Sequence, residues 1–400
     1  MKEKIVISGM GVYSALGKGI QNNFQKLTQS NHALSSIEFL DTIHKNQFPF
    51  GEIKKSTKDL KKDLEIAEHQ IYTRTSLLGI SAMQEALNHA SIEINNKYKI
   101  GLINATTVGS MCEVERFYDE LLTNFNNYKS YADSIDCADC TQLIADYFKV
   151  KDFVTTISTA CSSAANAIIL GSRLIEHGIL DIAICGGTDA LTKFTINGFN
   201  ALKNIDKNFC RPFDANRNGL NLGEGAAYII LERESNCLNR KHTPIASLVS
   251  YCNFNESFHP TAPNPQGEGA YQVMKRAIEK AKLKTTEIDY INSHGTATIT
   301  NDESEANAMK RLFEKVPAFS STKCYTGHTL GAAAAIEAVF SILALNNQAV
   351  YANLHFETPI EESLLVPQLK FEKKQLKYVM SNSFAFGGNN ASLIFSNYPS

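Results

Sequence analysis

The stretch TISTACSSAANAIILGSRLI (residues 156–175) changes character at one cysteine, Cys161. Ahead of it the β-branched run DFVTTI (152–157) reads as a strand, and behind it Ala164, Ala165, Ala167 and Gly171 recur in a helical pattern. A helix that poor in bulk and charge is buried against other backbone. A second one starts near Leu330, with Gly331 and Ala332 to Ala335. Two such helices suggest two similar α/β halves, residues 1–245 and 246–400, whose central helices pack face to face.

Working outward, strand-like runs recur at KIVIS (4–8), KIGLIN (99–104), DIAICGG (181–187), AAYIILE (226–232), IASLVSY (245–251), DYINSH (289–294), KYVMSNS (377–383) and ASLIFS (391–396). Helical patterns alternate with them, which is the signature of an α/β fold. The chain has 400 residues, 44% of them hydrophobic and 20% charged, enough for one large core or two fused ones. A net charge of −2 and the lack of a basic stripe interleaved with aromatics argue against nucleic acid. No signal-peptide pattern opens the sequence, and no run reads as the ~18 apolar residues of a membrane span, so a cytoplasmic protein with no membrane partner is expected.

Nine scattered cysteines do not form a secreted disulfide framework. Cys137 and Cys140 make a lone CxxC on an amphipathic helix, with no second pair to complete a zinc site, and read as core residues. GMGVYSALG (9–17) lacks the third glycine of a dinucleotide loop and reads as a strand-to-loop turn.

A thiol at a helix N-terminus meets unpaired N–H groups and a dipole worth roughly 0.3 to 2 kcal/mol, which favours thiolate; the same amides can face an oxyanion. A core cysteine used as a small hydrophobe explains the stretch alone equally well. Two further segments shift the balance. INSHGTAT (291–298) carries His294 at a strand end, and STKCYTGHTLGAAAAIEAV (321–339) carries Lys323 and His328 ahead of the second small-residue helix. Such junctions are where α/β sheets place ligand-binding groups.

TACSSA (159–164), SHGTAT (293–298) with Asp302 beyond it, KCYTGHTLGAAAAIE (323–337) and NSFAFGGNN (382–390) resemble, in order, the signature motifs of the elongating β-ketoacyl-acyl-carrier-protein synthases of the thiolase superfamily. The similarity covers almost the whole chain, including CRPFDANRNGLNLGEGAAYIILE (210–232). It implies a thiolase-like duplicated fold in αβαβα layers. It also implies an acyltransferase in which Cys161 takes an acyl group from acyl carrier protein. Malonyl carrier protein would then lose carbon dioxide, and its enolate, held by His294 and His328, would attack the thioester in a Claisen condensation. Lys323 and Glu337 would support the histidines, and Thr296 and Thr298 would hold the pantetheine arm. The N–H groups of Cys161 and Phe386 would form the oxyanion hole, with Phe386 as gate. No metal or other cofactor is implied.

The family is dimeric, so a homodimer is expected, or a heterodimer with a chain-length-factor-like subunit, and the segment at Val108 would reach across to shape the partner's acyl pocket. Arg211 matches a position near the pocket mouth where carrier protein docks. Lys61 and Lys62, in KKSTKDLKK (54–62), offer a second basic patch or simply a solvated helix face. The gate departs from the family's FGFGG-Thr-Asn: Ala385 replaces a glycine and Asn389 the threonine, which leaves chain length and pathway open among fatty acid, polyene and polyketide synthesis. Two alternatives are a non-catalytic chain-length factor, which the nucleophile opposes, and a thiolase-type enzyme acting on coenzyme A thioesters, whose second cysteine is missing from FAFGGNN (384–390).

Overall fold

In the computed structural model, which describes residues 3–95, 97–124 and 136–399, the first apolar run continues as one strand, β1 (Ile5–Ser14). Gly9 and Gly11 therefore lie inside a strand, which corrects the turn expected there. Packing explains them: a Cβ on Gly9 would sit 2.5 Å from the Ala86 carbonyl oxygen, and one on Gly11 2.2 Å from that of Ala82. Both oxygens belong to helix α1 (Arg74–His89), which lies directly on the strand.

The other strands of the first wing are β2 (Ile100–Ala105), β3 (Phe153–Ile157), β4 (Ile182–Asp189) and β5 (Gly225–Arg233). The second wing holds β6 (Ala246–Asn255), β7 (Tyr290–Asn292), β8 (Ala318–Ser320), β9 (Tyr378–Phe384) and β10 (Asn389–Ser396). Hydrogen bonding runs β3-β2-β4-β5-β1-β6-β10-β9-β7-β8, so the wings join through β1 and β6. Counted from each wing's own first strand, both have the order 3-2-4-5-1. Strand directions match as well: β2 is parallel to β3 and β4, as β7 is to β8 and β9, while the remaining pairs are antiparallel. β8, only three residues long, gives too little pattern to be seen in sequence.

The two small-residue helices, α3 (Ser163–Glu176) and α6 (Ala333–Asn347), touch each other between the wings. α1 and α2 (Cys137–Phe148) cover the outer face of the first wing, and α4 (Glu268–Ala281) and α5 (Ile299–Leu312) that of the second. The result is an αβαβα stack. Its central core joins Ala164, Ala165 and Ala167 of α3 to Ile336, Val339, Phe340 and Ile342 of α6. Each of these four larger side chains contributes roughly 1.5 to 3 kcal/mol by burial. Leu330–Asn347 does have the length and composition of a membrane span, with mean hydropathy 1.5, contrary to the sequence reading; 89% of it lies inside the protein as a core helix. Cys137 and Cys140 sit in α2, free of any disulfide, with Cys140 buried among apolar residues of the outer core.

One buried ion pair anchors the loops leading to the centre. Arg74 donates to both carboxylate oxygens of Glu224, at 2.5 and 2.9 Å, and to the carbonyls of Ile53 and Lys55. Glu224 also accepts from the Ile53 and Leu191 amides. Every polar atom of the pair is used, the condition under which a buried pair is tolerable. Replacing Arg74 by Ala leaves Glu224 charged and buried, and is expected to lower unfolding free energy by about 3 to 5 kcal/mol in a denaturant titration. A loss below 1 kcal/mol would show the pair to be incidental.

Candidate active site

β3 ends at Ile157 and α3 begins at Ser163, so Cys161 stands in the tight turn between them, ahead of the helix rather than in its first turn. Ala160 takes the left-handed conformation, φ 50°, which costs a non-glycine residue about 1 to 2 kcal/mol. The turn is held by Ser163, whose hydroxyl donates to the Ala160 carbonyl at 2.5 Å and accepts from the Thr159 amide at 2.8 Å. Strain is kept where it presents the thiol.

His294 follows β7. Glu305, from α5, accepts from the amides of His294 (3.0 Å) and Gly295 (2.8 Å) and so fixes the backbone that carries the ring. Gly295 has a positive φ, and a Cβ there would lie 2.6 Å from that of Ser321, so the close approach of the two segments needs glycine. His328 precedes the turn into α6, with its amide donating to the Asn221 carbonyl (2.7 Å) and its carbonyl accepting from Gly223 (3.0 Å). The imidazoles meet edge to face at 5.5 Å between centroids. Cys161 Sγ and a nitrogen of each ring all lie within 4.8 Å of one another, and all three residues are buried.

Hydrogen bonds fix both tautomers. The Leu330 amide donates to His328 Nδ1 at 3.1 Å, so that ring's hydrogen sits on Nε2, which has no partner. The Lys323 ammonium lies 3.2 Å from His294 Nδ1 and donates to the His294 carbonyl at 2.7 Å and to Glu337. His294 therefore also carries its hydrogen on Nε2. Burial first, then the Lys323 charge, holds both histidines well below their ordinary pKa, so both rings are neutral. A thiol and two imidazoles at this spacing resemble a metal site, but with both Nδ1 atoms engaged a metal would need the lone pairs on Nε2 and no neighbouring cation. With Nε2–H on both rings and an ammonium behind them, the arrangement suits a developing anion.

Burial also pushes the Cys161 thiol up to about 11; Lys323 and the N–H groups of Phe386 and Cys161 itself act in the opposite direction without cancelling it. The expected lowering by the helix dipole is thus overturned by desolvation, because the sulfur lies inside the protein and short of the helix end. Glu337 rises to about 7, again through burial, with Lys323 opposing.

The cavity above these groups holds about 230 Å³. Thr296 and Thr298 are on its wall with hydroxyls 2.8 Å apart, and Phe386 lies over it, stacked on Phe199 at 5.7 Å. Lys323 and Glu337 stand behind the histidines. Val108 does not line this cavity; it packs beside Phe199, Leu220 and Leu330 in a neighbouring apolar cluster. Arg211, partly exposed, lies 3.9 Å from Glu357 and off the cavity wall. Lys61 donates to the carbonyls of Glu68 and Gln70, Lys58 pairs with Glu68, and Lys62 is exposed, a pattern that fits a solvated helix face. Sequence reasoning missed Glu305 and Phe199, as well as the wall formed by His259, Thr261 and Pro263. Glu305 had one signal, its place three residues after Asp302 on the same helix face.

Two family models match the chain: "Beta-ketoacyl synthase, N-terminal domain" over residues 2–236 and "Beta-ketoacyl synthase, C-terminal domain" over residues 245–357. It is 32% identical to the 3-oxoacyl-[acyl-carrier-protein] synthase 2 of Coxiella burnetii and 30% identical to that of Staphylococcus aureus, in each case over 99% of both chains. Among solved structures, the ishigamide ketosynthase/chain length factor superposes with a TM-score of 0.92 at 26% identity over the full length of both chains. The ketosynthase ApeO in complex with its chain length factor ApeC, from Xenorhabdus doucetiae, does so with 0.84 at 31% identity, covering 99% of this chain and 98% of that one.

Because thiolate is the reactive form, alkylation of Cys161 by iodoacetamide should keep rising about tenfold per pH unit from pH 7 to pH 10. Peptide mass spectrometry of the Cys161 peptide reads this directly, and a plateau near pH 8 would show that the dipole outweighs burial.

Proposed function

The chain belongs to the β-ketoacyl synthase family, and on that premise we propose that it is a β-ketoacyl-[acyl-carrier-protein] synthase, an acyltransferase that extends an acyl chain held on Cys161 by decarboxylative condensation with malonyl carrier protein. The observation that carries this is the pair of neutral Nε2–H donors converging beside a buried thiol.

In the first half-reaction the Cys161 sulfur attacks the carrier thioester, and the pantetheine thiol leaves with the proton. The N–H groups of Phe386 and Cys161, which already face the sulfur, stabilise the oxyanion. Malonyl carrier protein then binds with its arm along Thr296 and Thr298. As carbon dioxide departs, its bonding electrons become an enolate whose oxygen accepts from His294 and His328. Neutral rings suit this role because each donates a hydrogen bond without surrendering a proton. The enolate carbon attacks the Cys161 thioester, a C–C bond forms, the C–S bond breaks, and the departing thiolate takes a proton from solvent. None of these steps uses a metal or a redox cofactor. A chain-length-factor role would leave this thiol idle. A thiolase role would need a second thiol at the cavity, and among the described residues only Cys161 is there.

Carrier protein is the expected partner, and the relatives are named for acting on it. We assign docking to Arg211 rather than to Lys61 and Lys62, since the Lys61 ammonium is already held by two carbonyls while Arg211 has only a distant contact with Glu357. A second chain is also expected. β3 is the outer strand of the first wing, all five of its residues are half-buried, and its outer edge has no strand partner among the described residues. An unpaired, half-buried edge of this kind is a template for pairing with another copy or with a chain-length-factor-like subunit.

Cys161→Ala should abolish condensation. His294→Ala and His328→Ala should each cost at least about 100-fold, since one donor to an oxyanion is worth about 2.7 to 4 kcal/mol. Product assays with acyl and malonyl carrier proteins measure this, and a loss under fivefold for either histidine would remove it from the reaction. For docking, Arg211→Glu should raise KM for carrier-bound substrate in a salt-dependent way and spare a small pantetheine thioester. Equal losses on both substrates would place the damage in the pocket. Light scattering should give twice 44.2 kDa for the protein alone, and a monomer would refute self-pairing.

A further inference from the structure

The gate hangs between the last residue of β9, Phe384, and the first of β10, Asn389. Ala385 is extended, φ −116° and ψ 152°, a conformation open to any residue, so the missing glycine costs nothing in this state. Gly387 has a positive φ and no atom lies within 4 Å of where a Cβ would stand, so apart from the bond its N–H donates to the Pro260 carbonyl at 2.7 Å it has room to turn. Gly388 is fixed: its carbonyl accepts from Glu256, and a Cβ on it would strike the Glu256 oxygen at 1.9 Å. The mobile piece is therefore Phe386, pivoting on a post at Gly388 and Asn389.

That post is tied across to the nucleophile. Asn389 Oδ1 accepts from the Ser162 hydroxyl at 2.8 Å and from Asn166 Nδ2 at 2.7 Å. Ser162 is the next residue after Cys161, and Asn166 is in the first turn of α3. Asn166 also donates to Thr159 Oγ1 at 2.9 Å, and its own oxygen accepts from Asn253 at 3.2 Å, so a chain of side chains links β6, α3, the Cys161 turn and the gate. Phe386 completes the closure from the other end, with its N–H toward the sulfur and its ring on Phe199.

We propose that Asn389 is a positioning residue, a latch that clamps the gate post to the Cys161 turn and so makes the closed gate, with the thiol shielded, the resting state. The amide oxygen reaches two donors at once, from one bond further out than a threonine hydroxyl would stand. An incoming acyl chain that passes Phe199 has to displace Phe386 against this clamp, and the latch thereby sets how readily Cys161 is loaded and how strictly chains are sorted. This rests on the reading of Phe386 as the gate of a condensing enzyme.

The test uses two readouts on the full-length protein. The first is the alkylation rate of Cys161 by iodoacetamide, which needs no carrier protein and stands whatever reaction is catalysed. Asn389→Ala should raise it about tenfold. Asn389→Asp, whose carboxylate still accepts from Ser162 and Asn166, should stay within twofold of the parent, and Asn166→Ala should raise it several-fold. The second is the set of acyl carrier proteins that load Cys161, read by mass spectrometry, which should broaden in Asn389→Ala and not in Asn389→Asp. An unchanged rate in Asn389→Ala would overturn the latch. So would an equal rise in the Asp variant, which would mark a general disturbance of the loop. Thermal melting of each variant separates either result from unfolding. Failure of every variant and the parent to load any acyl carrier would instead strike the condensing-enzyme reading and leave the alkylation result standing.

Discussion

One ammonium group organises this site. Lys323 Nζ, buried, is shared between the Glu337 carboxylate, the His294 carbonyl and His294 Nδ1. Its position decides which nitrogen of His294 carries hydrogen, helps keep both imidazoles neutral, and partly offsets the burial that raises the thiol. Such a charge is costly to bury, and the cost is tolerable only because Glu337 lies one α6 turn into the same core. The second small-residue helix is thus more than filler. Its alanines let the wings close tightly around a single acid that balances a single base.

The same reasoning explains why the pocket reads as electrophilic. Neutral N–H donors without water around them stabilise negative charge more strongly than they would in solvent, and no rearrangement is needed when the charge appears. Glu305, pushed up to about 7 by burial, serves the backbone of His294 rather than its ring, so the chemistry is kept separate from the scaffold that aims it.

Much of this was legible in the sequence, for physical reasons that differ from place to place. Cys161, His294 and His328 could be found because each sits where a strand ends or a small-residue helix is about to begin, and the alanine-rich helices announced their central place. The turn expected at Gly9 and Gly11 was wrong because a glycine's meaning depends on its neighbour: the α1 backbone pressed against β1 lies some 70 residues away in sequence, as the separation of Val12 from Glu85, 73 residues, illustrates. The thiol was misjudged for a related reason. A dipole is a local property, visible in the order of elements, whereas desolvation is the sum of everything packed around the sulfur. Phe199 and the Asn389 contacts escaped notice because they join segments that only the folded chain brings together.

The position of β10 bears on how the chain is made. It comes last in chain order among these ten strands, yet it lies in the interior of the second wing, between β6 and β9. Until it is synthesised, those two strands present unpaired edges, and the β6 edge waits for more than 130 residues of further translation. Pairings of such long range are slow to form and leave sticky edges exposed meanwhile. Asn389 begins that final strand, so the insertion that closes the sheet also delivers the gate. A chain that has not yet added β10 cannot display a shielded nucleophile, so closing the second wing and closing the site are one event.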